Sequence, residues 1–98
     1  MAYNLIVKSL AENDIRRIVE WYANQSEQLL SKFLSKLNTG FDSITKNPEH
    51  YQKRFNQIRI HFLSKFPYGI YYTIQQDTVF VHAVLHTKRD PLIGIKRV

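Results

Sequence analysis

The chain contains no cysteine, and its 98 residues include only three glycines, three prolines and eight acidic side chains, against fourteen lysines and arginines. Without cysteine there is no disulfide, no thiol nucleophile and no cysteine-ligated zinc, a composition compatible with a reducing compartment. No apolar run approaches the roughly 18 residues that span a bilayer. The start, MAYNLIVKSL, lacks a charged leader and carries only a short apolar run, unlike a signal peptide. Repeats and low-complexity tracts are absent as well. A soluble, cytoplasmic protein with no membrane partner is expected.

The shortage of acid is uneven. Residues 1–50 hold six Lys/Arg and six Asp/Glu, whereas residues 51–98 hold eight (Lys53, Arg54, Arg59, Lys65, Lys88, Arg89, Lys96, Arg97) against two (Asp77, Asp90), so the whole net charge of +6 falls in the second half. A lopsided field says little about fold and much about partners: phosphates or an acidic protein surface. The expectation is one continuous cationic surface built from the last three strands and the terminus.

Apolar residues make up 44% of the chain, with six Phe and six Tyr. That suffices for a single domain over residues 1–98, burying roughly 65% of the unfolded surface. Tyr3 to Lys8 reads as a strand through Leu5, Ile6 and Val7. Ser9 and Glu12 match a capping box, opening a helix with Ile15, Ile18, Val19 and Tyr22 on one face. Ser26 caps a second helix with apolar period Leu30, Phe33, Leu34, Leu37, Phe41, Ile44. Gly40 inside it points to close packing or a bend, and Asn47-Pro48 ends it. Three period-2 strands follow. Ile58, Ile60 and Phe62 share one face of the first; Ile70, Tyr72 and Ile74 share one face of the second. In the third, Val79, Val81, Ala83 and Leu85 alternate with Phe80, His82, Val84 and His86. Ser64–Pro67 bends the chain between the first pair, and Gln75–Thr78 turns it between the second. The order β-α-α-β-β-β implies an α+β domain, with a helical hairpin packed on a small, twisted, mainly antiparallel sheet.

Read jointly, these residues resemble the RelE/ParE superfamily, the toxins of type II toxin–antitoxin modules. The likeness covers essentially the whole chain. Its strongest pieces are Asn47-Pro48, Phe66-Pro67-Tyr68 with Tyr72, and His86 leading into Arg89-Asp90-Pro91. The resemblance implies one of two activities. RelE-like members cut mRNA in the ribosome with Lys and Arg on the sheet. ParE-like members inhibit DNA gyrase by protein–protein contact. Gly69 stands where RelE-like hairpins commonly carry Arg, and Arg59 replaces a paired-lysine pattern. The chain is therefore closer to the ParE-like, "plasmid stabilisation" branch. Either branch implies a cognate acidic antitoxin that covers the basic surface in a toxin–antitoxin hetero-oligomer.

The residues themselves leave the chemistry open. Cleavage of RNA by the 2′-OH needs a base, an acid and cations for the phosphorane. Arg59, Lys65, His86 and Arg89 supply such types. His82 and His86, four residues apart on one strand, stand roughly 13 Å apart and cannot share one phosphate. No carboxylate cluster accompanies the histidines, so neither a metal nor another cofactor is expected. Arg59 either binds an anion on the sheet or is solvated. Lys88, Arg89, Lys96 and Arg97 bracket an apolar tail that either frays or grips a partner. Asp90 either pairs with Arg89 or begins the turn that Pro91 stiffens. Tyr72 is expected in the core, and Tyr71 on the open face beside Phe80 or His82. Trp21 and Tyr22 cannot both face the core, which makes Trp21 a candidate contact. The binding candidates are therefore Trp21, Arg59, Tyr71, His82, Lys88, Arg89, Lys96 and Arg97. Three functions compete: gyrase inhibitor, ribosome-dependent endonuclease, and non-catalytic nucleic-acid-binding module.

Overall fold

A computed structural model describes residues 2–98. Strand β1 (Asn4–Val7) leads into helices α1 (Ser9–Gln25) and α2 (Glu27–Lys46), then a 3₁₀ turn at Pro48–His50. Strands β2 (Lys53–Phe55), β3 (Ile58–Phe62), β4 (Tyr68–Gln75) and β5 (Thr78–His86) follow, and a short helix α3 (Leu92–Ile95) closes the chain. The sheet order is β1-β5-β4-β3-β2. Only the β1–β5 pair is parallel, with Val7 opposite Val81. The expected α+β architecture is present, with two additions: the three-residue edge strand β2 and the helix α3.

The hairpin helices bury their apolar stripes on one sheet face. Ile18, Tyr22, Phe33, Leu37 and Ile44 meet Leu63, Ile70, Tyr72, Val79, Val81 and Val84. Gly40 explains how close α2 comes: a Cβ there would lie 3.1 Å from both Ile70 Cδ1 and Leu63 Cδ2. Ser26 caps α2 as expected, its Oγ accepting from Leu29 N–H at 3.3 Å. The Ser9–Glu12 capping box does not form. The N-cap of α1 is Lys8, without a side-chain cap, because Lys8 N–H and C=O are held by Val81 O and Glu12 N. Leu34, expected in the core, is 38% exposed.

Strand β5 departs from strict alternation. Tyr71 pairs Ala83 while Tyr72 pairs Val81, so His82 is the extra residue of a bulge. Beyond it the faces exchange. Val79, Val81 and Val84 face the hairpin, whereas Ala83 and Leu85 join Ile58, Ile60 and Tyr71 on the opposite face. The expected single face Val79-Val81-Ala83-Leu85 is thus corrected.

That opposite face is not open. Asp90 Oδ1 accepts from Leu92 N–H at 2.9 Å and starts the turn into α3. Ile93 and Ile95 then cover the second cluster. Tyr71, expected on an exposed face, is buried beneath α3. Gly94 permits this contact, since a Cβ would sit 2.5 Å from Tyr71 Cδ2. Gly94→Ala is expected to lift α3 and cost about 1–3 kcal/mol by overpacking. Thermal melts, with faster amide exchange confined to the tail, check this.

Candidate functional site

The tail is tied back by a polar node. Arg97 donates to Asp14 through Nη1–Oδ2 (2.6 Å) and Nη2–Oδ1 (3.2 Å), and to His82 C=O at 3.2 Å. Asp14 Oδ2 also accepts from Val84 N–H at 3.0 Å. The cause is topological. β1 runs alongside β5 only as far as Val81, and Lys8 N–H makes the last backbone bond there. Past that point two side chains satisfy the β5 edge. Arg97 therefore holds the fold together internally, and the terminal segment is docked, neither frayed nor free.

Beside this node, α1 and the ends of β4 and β5 enclose a small cleft of about 190 Å³. Its lining includes Arg17, Trp21, Tyr68, His86 and Arg89, with Asp14 at its base. Asp14, Arg17 and Trp21 share one stripe of α1 at i, i+3 and i+7. The buried Asp14 anchors that stripe and leaves Trp21 at the rim, 55% exposed. Trp21 stands edge-on to Tyr22, with ring centroids 5.0 Å apart. Tyr22 in turn packs with Phe33, Phe66 and Tyr68, so the Trp rests on a rigid aromatic base.

The donors in the cleft are set by their neighbours. Lys88 N–H donates to His86 Nδ1 at 3.1 Å, which leaves the ring proton of the neutral imidazole on Nε2. Burial first, then the adjacent Tyr22 hydroxyl, pushes the Tyr68 phenol up to about 12, so it remains a neutral hydroxyl. Asp14, the one carboxylate in the lining, is occupied by Arg97 and Val84. Two guanidinium groups, an imidazole and a phenol thus line one cleft. The arrangement suits an incoming carboxylate or phosphate.

The remaining sequence candidates go elsewhere. Arg59 points toward the hairpin side and donates to Tyr51 C=O (2.6 Å) and Glu49 C=O (3.3 Å), beside Tyr72 OH, which donates to Pro48 C=O at 2.6 Å. Through Nη1 it clasps the 3₁₀ turn, and it remains half-buried at the edge of a groove shared with Lys53. Tyr72 is fully buried, as expected. His82 is buried, with Nε2 at 2.8 Å from Thr73 Oγ1. Lys65 sits in a separate groove with Lys32 and Lys36. Lys88 and Lys96 are exposed. Of Arg59, Lys65, His86 and Arg89, only the last two share a cleft. The single cationic surface expected from the charge asymmetry is divided: Arg97 turns inward, Arg54 and Arg89 line one groove, Lys53 and Arg59 line another, and Lys65 lies apart with Lys32 and Lys36. Arg17 was missed, since beside Arg16 it resembles an ordinary solvated helix residue. Its i+4 spacing to Trp21 was the available signal.

Burial holds His61 below its ordinary value, and burial, then Lys8, does the same for His82. His61 Nδ1 is buried without a hydrogen-bond partner. The folded values lie below those of the unfolded chain, so unfolded molecules take up protons first on acidification. Stability is retained above the ordinary histidine value of 6.5 and lost as pH falls below it. Melts from about pH 8 to about pH 5 should show a falling midpoint, with a shallower slope for His61→Phe.

The comparisons fit this architecture. No curated protein sequence matches the chain. A solved structure described as the chromosomal ParDE TA system from P. aeruginosa is similar in fold, with a TM-score of 0.75 at 10% identity over 87% of this chain and 96% of that one. Among the described residues, no helix is long and apolar enough to cross a membrane. The family described as "ParE toxin of type II toxin-antitoxin system, parDE" matches residues 5–91. The chain belongs to the ParE toxin family of type II toxin–antitoxin systems.

Proposed function

We propose that this chain is the toxin of a toxin–antitoxin pair and inhibits DNA gyrase in the cytoplasm by protein–protein contact. The cleft grips an acidic side chain of the target, and a cognate antitoxin neutralises the toxin. The observation that carries this reading is the exposed Trp21 beside Arg17, His86 and Arg89, with the one nearby carboxylate already paired. Exposed Trp and Arg around a small pocket are the residue types that anchor protein interfaces once a partner covers them. Contact inhibition needs no acid–base pair. The cleft has a protonated phenol and a histidine whose Nδ1 already accepts a bond.

A ribosome-dependent endonuclease is the second reading, favoured by His86 and two arginines lining one cleft. Inducing the chain alone separates the two. Under the first, DNA breaks and the DNA-damage response precede any change in mRNA. If cut mRNA appears first and gyrase-dependent supercoiling persists, the gyrase reading is wrong.

A further inference from the structure

A groove at one end of the sheet shares no residue with the Trp21 cleft. It measures about 280 Å³ and is lined by Glu49, Lys53, Gln57, Arg59, Ile74 and Gln76. Register brings these residues together. Arg59 pairs Tyr72 across β3 and β4, so the β2–β3 turn carrying Gln57 and the β4–β5 turn carrying Gln76 fall at the same end. Lys53 pairs Arg59 across β2 and β3, which sets two cations directly opposite each other. Like charges in that position repel and weaken the strand pair. Among the described residues the one ion pair is Asp14–Arg97, so no carboxylate closes on either cation.

The guanidinium is held ready. Arg59 Nη1 donates to Tyr51 C=O at 2.6 Å and to Glu49 C=O at 3.3 Å, while Nε and Nη2 make no bond within the described residues. Those two nitrogens are not sealed in. The one buried side-chain nitrogen or oxygen without a partner among the described residues is His61 Nδ1. A guanidinium fixed through one nitrogen and open at the other two presents a fork that takes anionic oxygens in pairs. Lys53, exposed on the opposing strand, adds a second charge.

Glu49 decides the kind of anion. Its carboxylate lines the same groove and repels a bare phosphate or a second carboxylate. It is matched by a ligand that carries hydrogen-bond donors beside its negative group. A ribose phosphate has both: phosphate oxygens for Arg59 and Lys53, and neighbouring hydroxyls that donate to Glu49. Gln57 and Gln76 supply amide donors and acceptors for the rest of the molecule, and Ile74 an apolar wall. DNA lacks the 2′-hydroxyl, and within a strand it leaves Glu49 unmatched.

We infer that this groove binds a free ribonucleotide, with Arg59 and Lys53 on its phosphate and Glu49 on its ribose hydroxyls. The site goes beyond the gyrase reading and does not depend on it.

The test titrates adenosine monophosphate into the isotope-labelled full chain at about 50 mM salt and follows the backbone amides. Saturable shifts are expected around residues 49–59 and 74–77. Lys53→Glu should weaken binding at least about tenfold. The same substitution sets opposite charges across β2 and β3, so its melting midpoint should equal or exceed that of wild type, which separates lost binding from lost folding. If it does not fold, Lys53→Gln replaces it, with a loss of at least about threefold expected. Wild type should prefer the nucleotide to inorganic phosphate by at least about threefold, and Glu49→Gln should lose that preference while still taking phosphate. Trp21→Ala/Arg89→Ala should bind the nucleotide as wild type does. No saturable binding up to about 10 mM overturns the proposal, as does a folded Lys53 variant that binds like wild type. Inorganic phosphate bound as tightly as the nucleotide overturns it too, leaving a plain anion site. So does a thymidine oligonucleotide that binds these residues more tightly than the nucleotide, which would make the groove a surface for strand backbone.

Discussion

Replacing Asp14 with alanine is expected to destabilise the chain by about 3 kcal/mol, because a partly buried charge and a backbone donor lose their partner together. Asp14 is 7% exposed and the Arg97 side chain 17%. Without the carboxylate, the guanidinium keeps only His82 C=O, and Val84 N–H is left unpaired at the β5 edge. At this chain length the melting midpoint should fall by roughly 12–20 °C. Arg97→Ala should cost less, about 1–2 kcal/mol, since Val84 N–H keeps its acceptor. The double variant should reveal a coupling of at least about 1 kcal/mol in a thermodynamic cycle. Amide exchange at Val84 should accelerate in Asp14→Ala and much less in Arg97→Ala. A loss under about 1 kcal/mol for Asp14→Ala would mean that the node does not hold the tail.

Trp21→Ala combined with Arg89→Ala is expected to abolish growth arrest while leaving the fold intact. Trp21 is more than half exposed and Arg89 is exposed, so the stability change should stay within about 1 kcal/mol. Anchors of this type each carry about 2 kcal/mol or more of a contact, so the pair should weaken target binding by at least about a thousandfold. Each single variant should weaken it by roughly thirtyfold. Arg17→Ala should follow the same direction. Full toxicity in a folded Trp21→Ala/Arg89→Ala chain would move the acting surface elsewhere.

The contrast between these sites explains what could be read from sequence. Both long helices and β3 to β5 announced themselves, since 17- and 20-residue helices and long strands repeat their pattern often enough to be seen. Tyr72 and Trp21 followed from parity and crowding. The bulge at His82 did not, because one extra residue changes which face Ala83, Val84 and Leu85 occupy without altering the string of apolar letters. The helix α3 is four residues long, too short for any period, and its docking depends on Gly94 lying over Tyr71. The strand β2, three residues long, was equally unreadable. Charge counting located the cations along the chain but not around the molecule. Arg59 and Lys65 are six residues apart, yet one clasps the 3₁₀ turn and the other faces α2. Asp14 and Arg97 lie 83 positions apart, a distance no local pattern reports.

The chain belongs to the ParE toxin family, and the proposal is that the cleft carries its action. The most direct measurement is supercoiling by purified DNA gyrase in the presence of the purified chain, read beside mRNA integrity in a translating extract. The account predicts loss of supercoiling with linear DNA accumulating, intact mRNA, and no effect from Trp21→Ala/Arg89→Ala. Unimpaired gyrase with mRNA cut in the extract would contradict it.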